Sequence, residues 1–261
     1  MRFCLSQVIA RLFPACARKE AESTNLSELM ERMSHELRTS LTGIVGYSEF
    51  VESTSTEPMV NFTAKIIRES GQNLARTSNS FFDLHRLTTG QLQLKRSLFL
   101  ISELVRDVVR DHQRQARDGG FNLLFTCSDE TYSFEISADK QRVHQVVDAL
   151  VFSAVQQADK EQFIHVDVSF DENRTHVQFM LISSVAAMDD VRVKLHKEFW
   201  TDVPYKYKLQ EGPGVELALV KALIRMMHGR VSYDTSVSDR LLCQLVVYLP
   251  LNDTQLEATR P

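Results

Sequence analysis

Cysteine is scarce and poorly placed for chemistry. Cys4, Cys16, Cys127 and Cys243 are the only four in 261 residues, and no two form a CxxC pair. That spacing excludes a disulfide framework and a thiolate zinc site, and predicts buried or incidental thiols in a reducing compartment. Neither sign of charge dominates. Thirty Lys and Arg stand against 34 Asp and Glu, a net charge of −4, without the basic footprint that nucleic-acid binding leaves. HxxxH and HExxH spacings, the usual histidine metal patterns, do not occur. No run approaches the ~20 apolar residues needed to cross a bilayer. The longest apolar stretch, Phe3 to Ala17, is broken by Arg11 and Pro14.

What is present is ordinary globular material, 43% hydrophobic and 25% charged, in a length that fits one or two domains. Residues 1–25 read as a short amphipathic lead-in and a polar linker. The expected location is cytoplasmic, with peripheral membrane contact through Phe3, Leu5, Val8, Ile9 and Phe13 as the alternative. From Leu26 a heptad starts. Met30, Leu37, Ile44 and Val51 are spaced by seven, as are Leu26, Met33, Ser40 and Tyr47. These are the seam positions of a coiled-coil-like helix. The turn-rich segment Glu52 to Pro58 ends it, and Val60, Ile67, Leu74 and Phe81 continue the repeat until Thr88-Thr89-Gly90. Two long helices and a short turn make a hairpin, predicted over 26–96. Pairing two hairpins into a dimeric four-helix bundle would cover the seam.

Over 97–252 the texture changes, and 253–261 read as a tail. Helices are predicted over Leu98 to Ala116, Asp139 to Ala158 and Val215 to Met227, the last closed by His228-Gly229. Strands are predicted over Phe121 to Cys127, Tyr132 to Ile136, Phe163 to Phe170, Val177 to Ile182 and Leu241 to Leu249. Helices on one face of a mixed sheet give an α/β sandwich, so the fold class is α+β.

One histidine stands apart. The heptad phase puts His35 opposite the seam, on the solvent face of the first helix. Its surroundings, Met33-Ser-His-Glu-Leu-Arg-Thr-Ser-Leu-Thr-Gly-Ile44, closely resemble the phosphoacceptor box of sensor histidine kinases of two-component systems, whose core is Ser-His-Glu-Leu-Arg-Thr-Pro-Leu-Thr. Ser40 stands where that family has proline. Phe81-Phe-Asp-Leu-His-Arg-Leu87 and Gly90 extend the likeness. Neutral imidazole is nucleophilic near pH 7 and can accept a phosphoryl group on one nitrogen. By resemblance, His35 is the phosphoacceptor and Glu36 the acidic partner that orients the ring and takes its proton. Thr39 would place the water that hydrolyses a partner's phosphoaspartate, and Arg38 would offset phosphate charge. Loss of the proline removes the reason for a local bend, which in the family helps the histidine move towards ATP.

The second half resembles the family's ATP-binding domain in order and length, but its nucleotide residues have changed. Ala149 and Ser153 stand where the family has two asparagines, the second of which holds magnesium, and Gln156 replaces a lysine. Ser183-Ser184-Val185-Ala186-Ala187 follows a strand where the family has Asp-x-Gly-x-Gly. Gly212-Pro-Gly-Val-Glu-Leu-Ala-Leu219 keeps Gly212 and Gly214, whose N–H groups could face phosphate, but Glu216 replaces the third glycine. The reading preferred from the sequence is a homodimeric phosphorelay protein that exchanges phosphate between His35 and the aspartate of a response-regulator receiver domain. A divergent kinase that uses ATP and magnesium is the first alternative. A non-enzymatic regulator that binds a kinase or a response regulator is the second.

Overall fold

The computed structural model describes residues 14–158, 160, 162–184, 214–234 and 242–251. The apolar N-terminal residues up to Phe13, the Val185-Ala186-Ala187 run and Gly212 lie outside them. The chain divides into two compact units, Met1–His85 and Arg86–Pro261.

The first unit is a hairpin of α1 (Pro14–Thr54) and α2 (Pro58–Thr88). α1 runs unbroken through residues 18–26, which the polar composition had suggested as a linker. A polar composition does not exclude a helix. The turn closes locally. The Ser55 N–H donates to the Val51 carbonyl at 3.0 Å, the Glu57 N–H to the Ser55 hydroxyl at 3.1 Å, and the Asn61 carboxamide to the Ser55 carbonyl at 3.0 Å. Pro58 opens α2, where its fixed φ suits the first helical position and its missing N–H costs nothing. At the other end Gly90, at φ 70°, takes the left-handed conformation that stops the chain from continuing as helix.

The contact between the two helices uses residues other than the heptad seam. Ser34, Leu41 and Ser48 of α1 are buried against the second helix, as are Ala64, Gly71, Ser80 and Phe82 of α2. At Gly71 the helices come so close that a Cβ would lie 3.1 Å from Val45 Cγ2. Glu52 and Arg68, 2.7 Å apart, tie the pair nearer the turn. The predicted seam lies elsewhere. Met33, Leu37, Ile44, Tyr47 and Val51 are exposed, as are Val60, Ile67, Leu74 and Phe81. A heptad marks a stripe without saying which partner covers it. Here mostly small residues, with Leu41 and Phe82, serve the partner within the chain, and the heptad stripe faces outward.

The second unit is a two-layer sandwich. A five-stranded sheet has the order β2 (Asn122–Cys127), β4 (Phe163–Phe170), β5 (His176–Ser184), β7 (Leu242–Pro250), β6 (Arg230–Asp234). The β2–β4 pair is parallel and the others antiparallel. Alternation along β4 buries Ile164, Val166 and Val168 on one face. That face is covered by α3 (Ile101–Gly119), α5 (Lys140–Gln157) and α6 (Gly214–Met226), through residues such as Val105, Val147, Val151, Leu219 and Leu223. Each such side chain contributes roughly 1.5–3 kcal/mol over its exposed state. A separate ribbon pairs β1 (Ser97–Leu100) with β3 (Glu135–Ala138), and the short α4 (Asp129–Tyr132) precedes β3.

Several boundaries differ from the sequence reading. The helix predicted from Leu98 starts at Ile101, because Ser97–Leu100 pairs with β3. Tyr132 closes α4 rather than opening a strand. Asp139 is not in the helix but caps it. Its carboxylate accepts the Arg142 N–H at 3.1 Å and the Lys95 N–H at 2.7 Å. β6 was not foreseen. In the β4–β5 turn, burial acts to raise the Asp171 carboxyl, but hydrogen bonds from the His176 and Thr175 N–H groups and the Thr175 hydroxyl outweigh it and leave the pKa lowered.

The end of α6 reverses an expectation in detail. His228, not Gly229, takes the left-handed conformation, at φ 58°. Gly229 serves close approach instead, since a Cβ there would sit 2.5 Å from the Tyr248 carbonyl oxygen on β7. Gly229→Ala should therefore lower the unfolding free energy by about 1–3 kcal/mol. His228→Gly should change it by less than about 1 kcal/mol, because relief of the left-handed side chain offsets the added chain entropy. Urea unfolding of both variants checks the pair, and equal effects would refute the assignment of the two roles.

Candidate phosphoacceptor site

Helical phase builds this site. With Ser34, Leu41 and Ser48 turned into the hairpin, the next position, His35, is turned out, and it is exposed. Glu36, Arg38 and Thr39 are exposed beside it, so all four predicted residues share one turn of α1. Among the described residues the His35 ring makes no hydrogen bond, and the Glu36 carboxylate forms no ion pair. The structure thus places Glu36 next in sequence to His35 but does not join the two side chains. The Thr39 hydroxyl donates to the His35 carbonyl at 2.9 Å, so it is engaged with its own helix.

Arg38 reaches across the hairpin. Its Nη2 donates to Asn79 Oδ1 on α2 at 3.1 Å. Sequence reading did not single out Asn79. Register counted outward from the turn would have put it level with Arg38, because the tight turn fixes which residues face each other.

At the position that departs from the phosphoacceptor box, the Ser40 hydroxyl donates to the Glu36 carbonyl at 3.0 Å. The helix is continuous there. Proline would remove the N–H that bonds the same carbonyl and press its ring against it. The neighbours behave alike: Thr42 donates to the Arg38 carbonyl at 2.8 Å, and Ser48 to the carbonyls of Ile44 and Val45.

In the second unit, Ala149 on α5 is 7% exposed and offers a methyl group at the first of the two positions where the resemblance has asparagine. Ser153, one turn on, is half-buried and has its own polar partner. The neighbouring Asp148 is taken by His112 of α3 at 2.9 Å. Ser183 lies within β5, opposite Cys243 of β7. Gly214 is the first residue of α6, and Glu216 puts a carboxylate in its first turn. A carboxylate at a helix N-terminus competes with phosphate for the same donors. Among the described residues, neither Ala149 nor Ser153 supplies the carboxamide that the resemblance has at these two positions.

A hairpin with an outward histidine, joined to this two-layer sandwich, defines a class: phosphoacceptor proteins built on the kinase plan. Residues 25–90 match the model of the His Kinase A (phospho-acceptor) domain. Residues 138–253 match that of the histidine kinase-, DNA gyrase B-, and HSP90-like ATPase. The chain belongs to the sensor histidine kinase family. It is 24% identical to the autoinducer 2 sensor kinase/phosphatase LuxQ of Vibrio cholerae over 89% of this chain and 28% of that protein. It is 30% identical to the non-motile and phage-resistance protein of Caulobacter vibrioides, over 84% of this chain and 27% of that one. The chain therefore spans less than a third of either relative. Full-length ShkA, solved with AMPPNP, shares the fold with a TM-score of 0.61 at 23% identity, over 86% of this chain and 46% of its own. No helix among the described residues is long and apolar enough to cross a membrane.

Ser40→Pro should interrupt α1 and cost up to about 3 kcal/mol, whereas Ser40→Ala should cost less than about 0.5 kcal/mol. Urea unfolding with helicity followed by circular dichroism separates them. A neutral proline variant would mean that α1 already bends at this point.

Proposed function

We propose that this chain carries phosphate on His35 and exchanges it with the aspartate of a response-regulator receiver domain, as a homodimeric histidine phosphotransferase. One contrast carries the reading. The phosphoacceptor turn is whole and exposed, while the nucleotide positions hold Ala149, Ser153 and Ser183. A receiver brings its own acidic residues and metal, so the histidine protein needs to supply only an accessible nucleophile on a rigid helix. In the transfer, a ring nitrogen of His35 attacks the phosphorus of the phosphoaspartate. The bond from phosphorus to the carboxylate oxygen breaks, and aspartate leaves as carboxylate. Glu36 is assigned to take the ring proton, Arg38 to offset the phosphate charge, and Thr39 to place water for hydrolysis. Gly214, the first residue of α6, and Gly212 keep at most a phosphate-facing role.

The ATP-using kinase is the second reading, and the match of residues 138–253 to the ATPase model is the observation in its favour. The two separate cleanly. Purified full chain with radiolabelled ATP and magnesium should stay unlabelled, and a phosphorylated receiver should then label wild type but not His35→Ala. Label from ATP that needs His35 would establish the kinase instead. If neither donor labels His35, a regulator that binds a kinase or response regulator without chemistry is what remains.

The homodimer rests on the outward stripe. Ile44, Tyr47, Val51, Met59, Val60 and Ile67 line an open apolar groove of about 700 Å³ towards the turn. A second hairpin presents the same stripe and would complete a four-helix bundle, leaving His35 on the far face of α1. Ile67→Glu should shift the protein from dimer to monomer in sedimentation equilibrium. An unchanged dimer would place the interface elsewhere.

A further inference from the structure

We propose that Asn79 is a positioning residue for phosphoryl transfer, acting through Arg38; this rests on the reading of His35 as the phosphoacceptor. Arg38 lies three residues from His35, so the two side chains are neighbours on one helix face. Its charge is permanent, but an exposed arginine has many rotamers and loses much of its field to solvent. Among the described residues, one side-chain contact restrains it: the 3.1 Å hydrogen bond from Nη2 to Asn79 Oδ1. Asn79 is half-buried on α2, next to the buried Ser80 and three residues before the buried Phe82.

The chemistry of the acceptor matters. A guanidinium carries five N–H donors, so a single bond to Asn79 leaves most of them for a phosphoryl group on His35. A carboxamide is neutral, so it fixes the guanidinium without cancelling its charge. A carboxylate here would pair with Arg38 through two bonds and withdraw it from phosphate. Asn79 is thus suited to orient Arg38 while leaving its charge available, a role that neither an apolar residue nor an acid could fill.

The test uses the full chain and potassium phosphoramidate, a donor that needs neither ATP nor a receiver. A ring nitrogen of His35 attacks phosphorus, the phosphorus–nitrogen bond breaks, and ammonia leaves with the displaced ring proton. Phosphorylation at His35 is followed by mass spectrometry, with circular dichroism to check that each variant is folded. Asn79→Ala and Arg38→Ala should each slow labelling by roughly three- to tenfold, and the double variant should be no slower than Arg38→Ala alone. Asn79→Asp should be slower than Asn79→Ala, and in the Arg38→Ala background it should lose that extra effect. Unchanged labelling in Asn79→Ala, or effects that multiply in the double variant, would overturn the proposal while His35 stands. No label on His35 in wild type would overturn both.

Discussion

The rotational phase of α1 is the constraint on which the rest of the first unit depends. One helix has to satisfy three neighbours at once. Ser34, Leu41 and Ser48 turn to α2, the stripe from Met33 to Val51 turns outward, and His35 is left facing away from that stripe. A shift of one residue turns a helix by about 100°, so none of the three faces can move without the others. The close approach at Gly71 and the pair between Glu52 and Arg68 hold that phase.

Much of this was legible in the sequence, because periodicity reports which residues share a face. The two hairpin helices, the turn before Pro58, the exposure of His35 and the alternation of β4 were all read from spacing. Which partner a face meets was not. The heptad was read as the stripe that a second hairpin would cover, and it did not point to the residues of the contact within the hairpin, Ser34, Leu41, Ser48, Ala64, Gly71, Ser80 and Phe82. Local polarity misled at residues 18–26, where a polar helix and a linker look alike. The strands β1 and β6 are short, at four and five residues, so a local pattern had little to show. Asp139 and His228 illustrate the finer limit. Capping and left-handed geometry depend on which N–H or carbonyl lies within reach, and only three-dimensional placement decides that.

The second unit keeps its architecture while its polar positions have drifted. The packed layer between helices and sheet is mostly apolar, and it depends on volume and alternation more than on particular donors. Alanine at position 149, where the resemblance has asparagine, is compatible with that layer. The tie between His112 and Asp148 now links α3 to α5 beside that position. Family membership and fold follow from the layer. Chemistry follows from the few side chains at its edge, and these change independently.

The unbroken course of α1 past Ser40 has a mechanical side. With about 1.5 Å of rise per residue, the helix from Pro14 to Thr54 is a rod about 60 Å long, with His35 near its middle. A helix with a proline break dissipates a twist at the hinge, because bending there is cheaper than turning the far segment. A rod without a hinge passes torque along its axis. Rotation imposed at the Pro14 end of α1 arrives at His35 as rotation, changing the direction in which the imidazole faces rather than its distance from the helix axis.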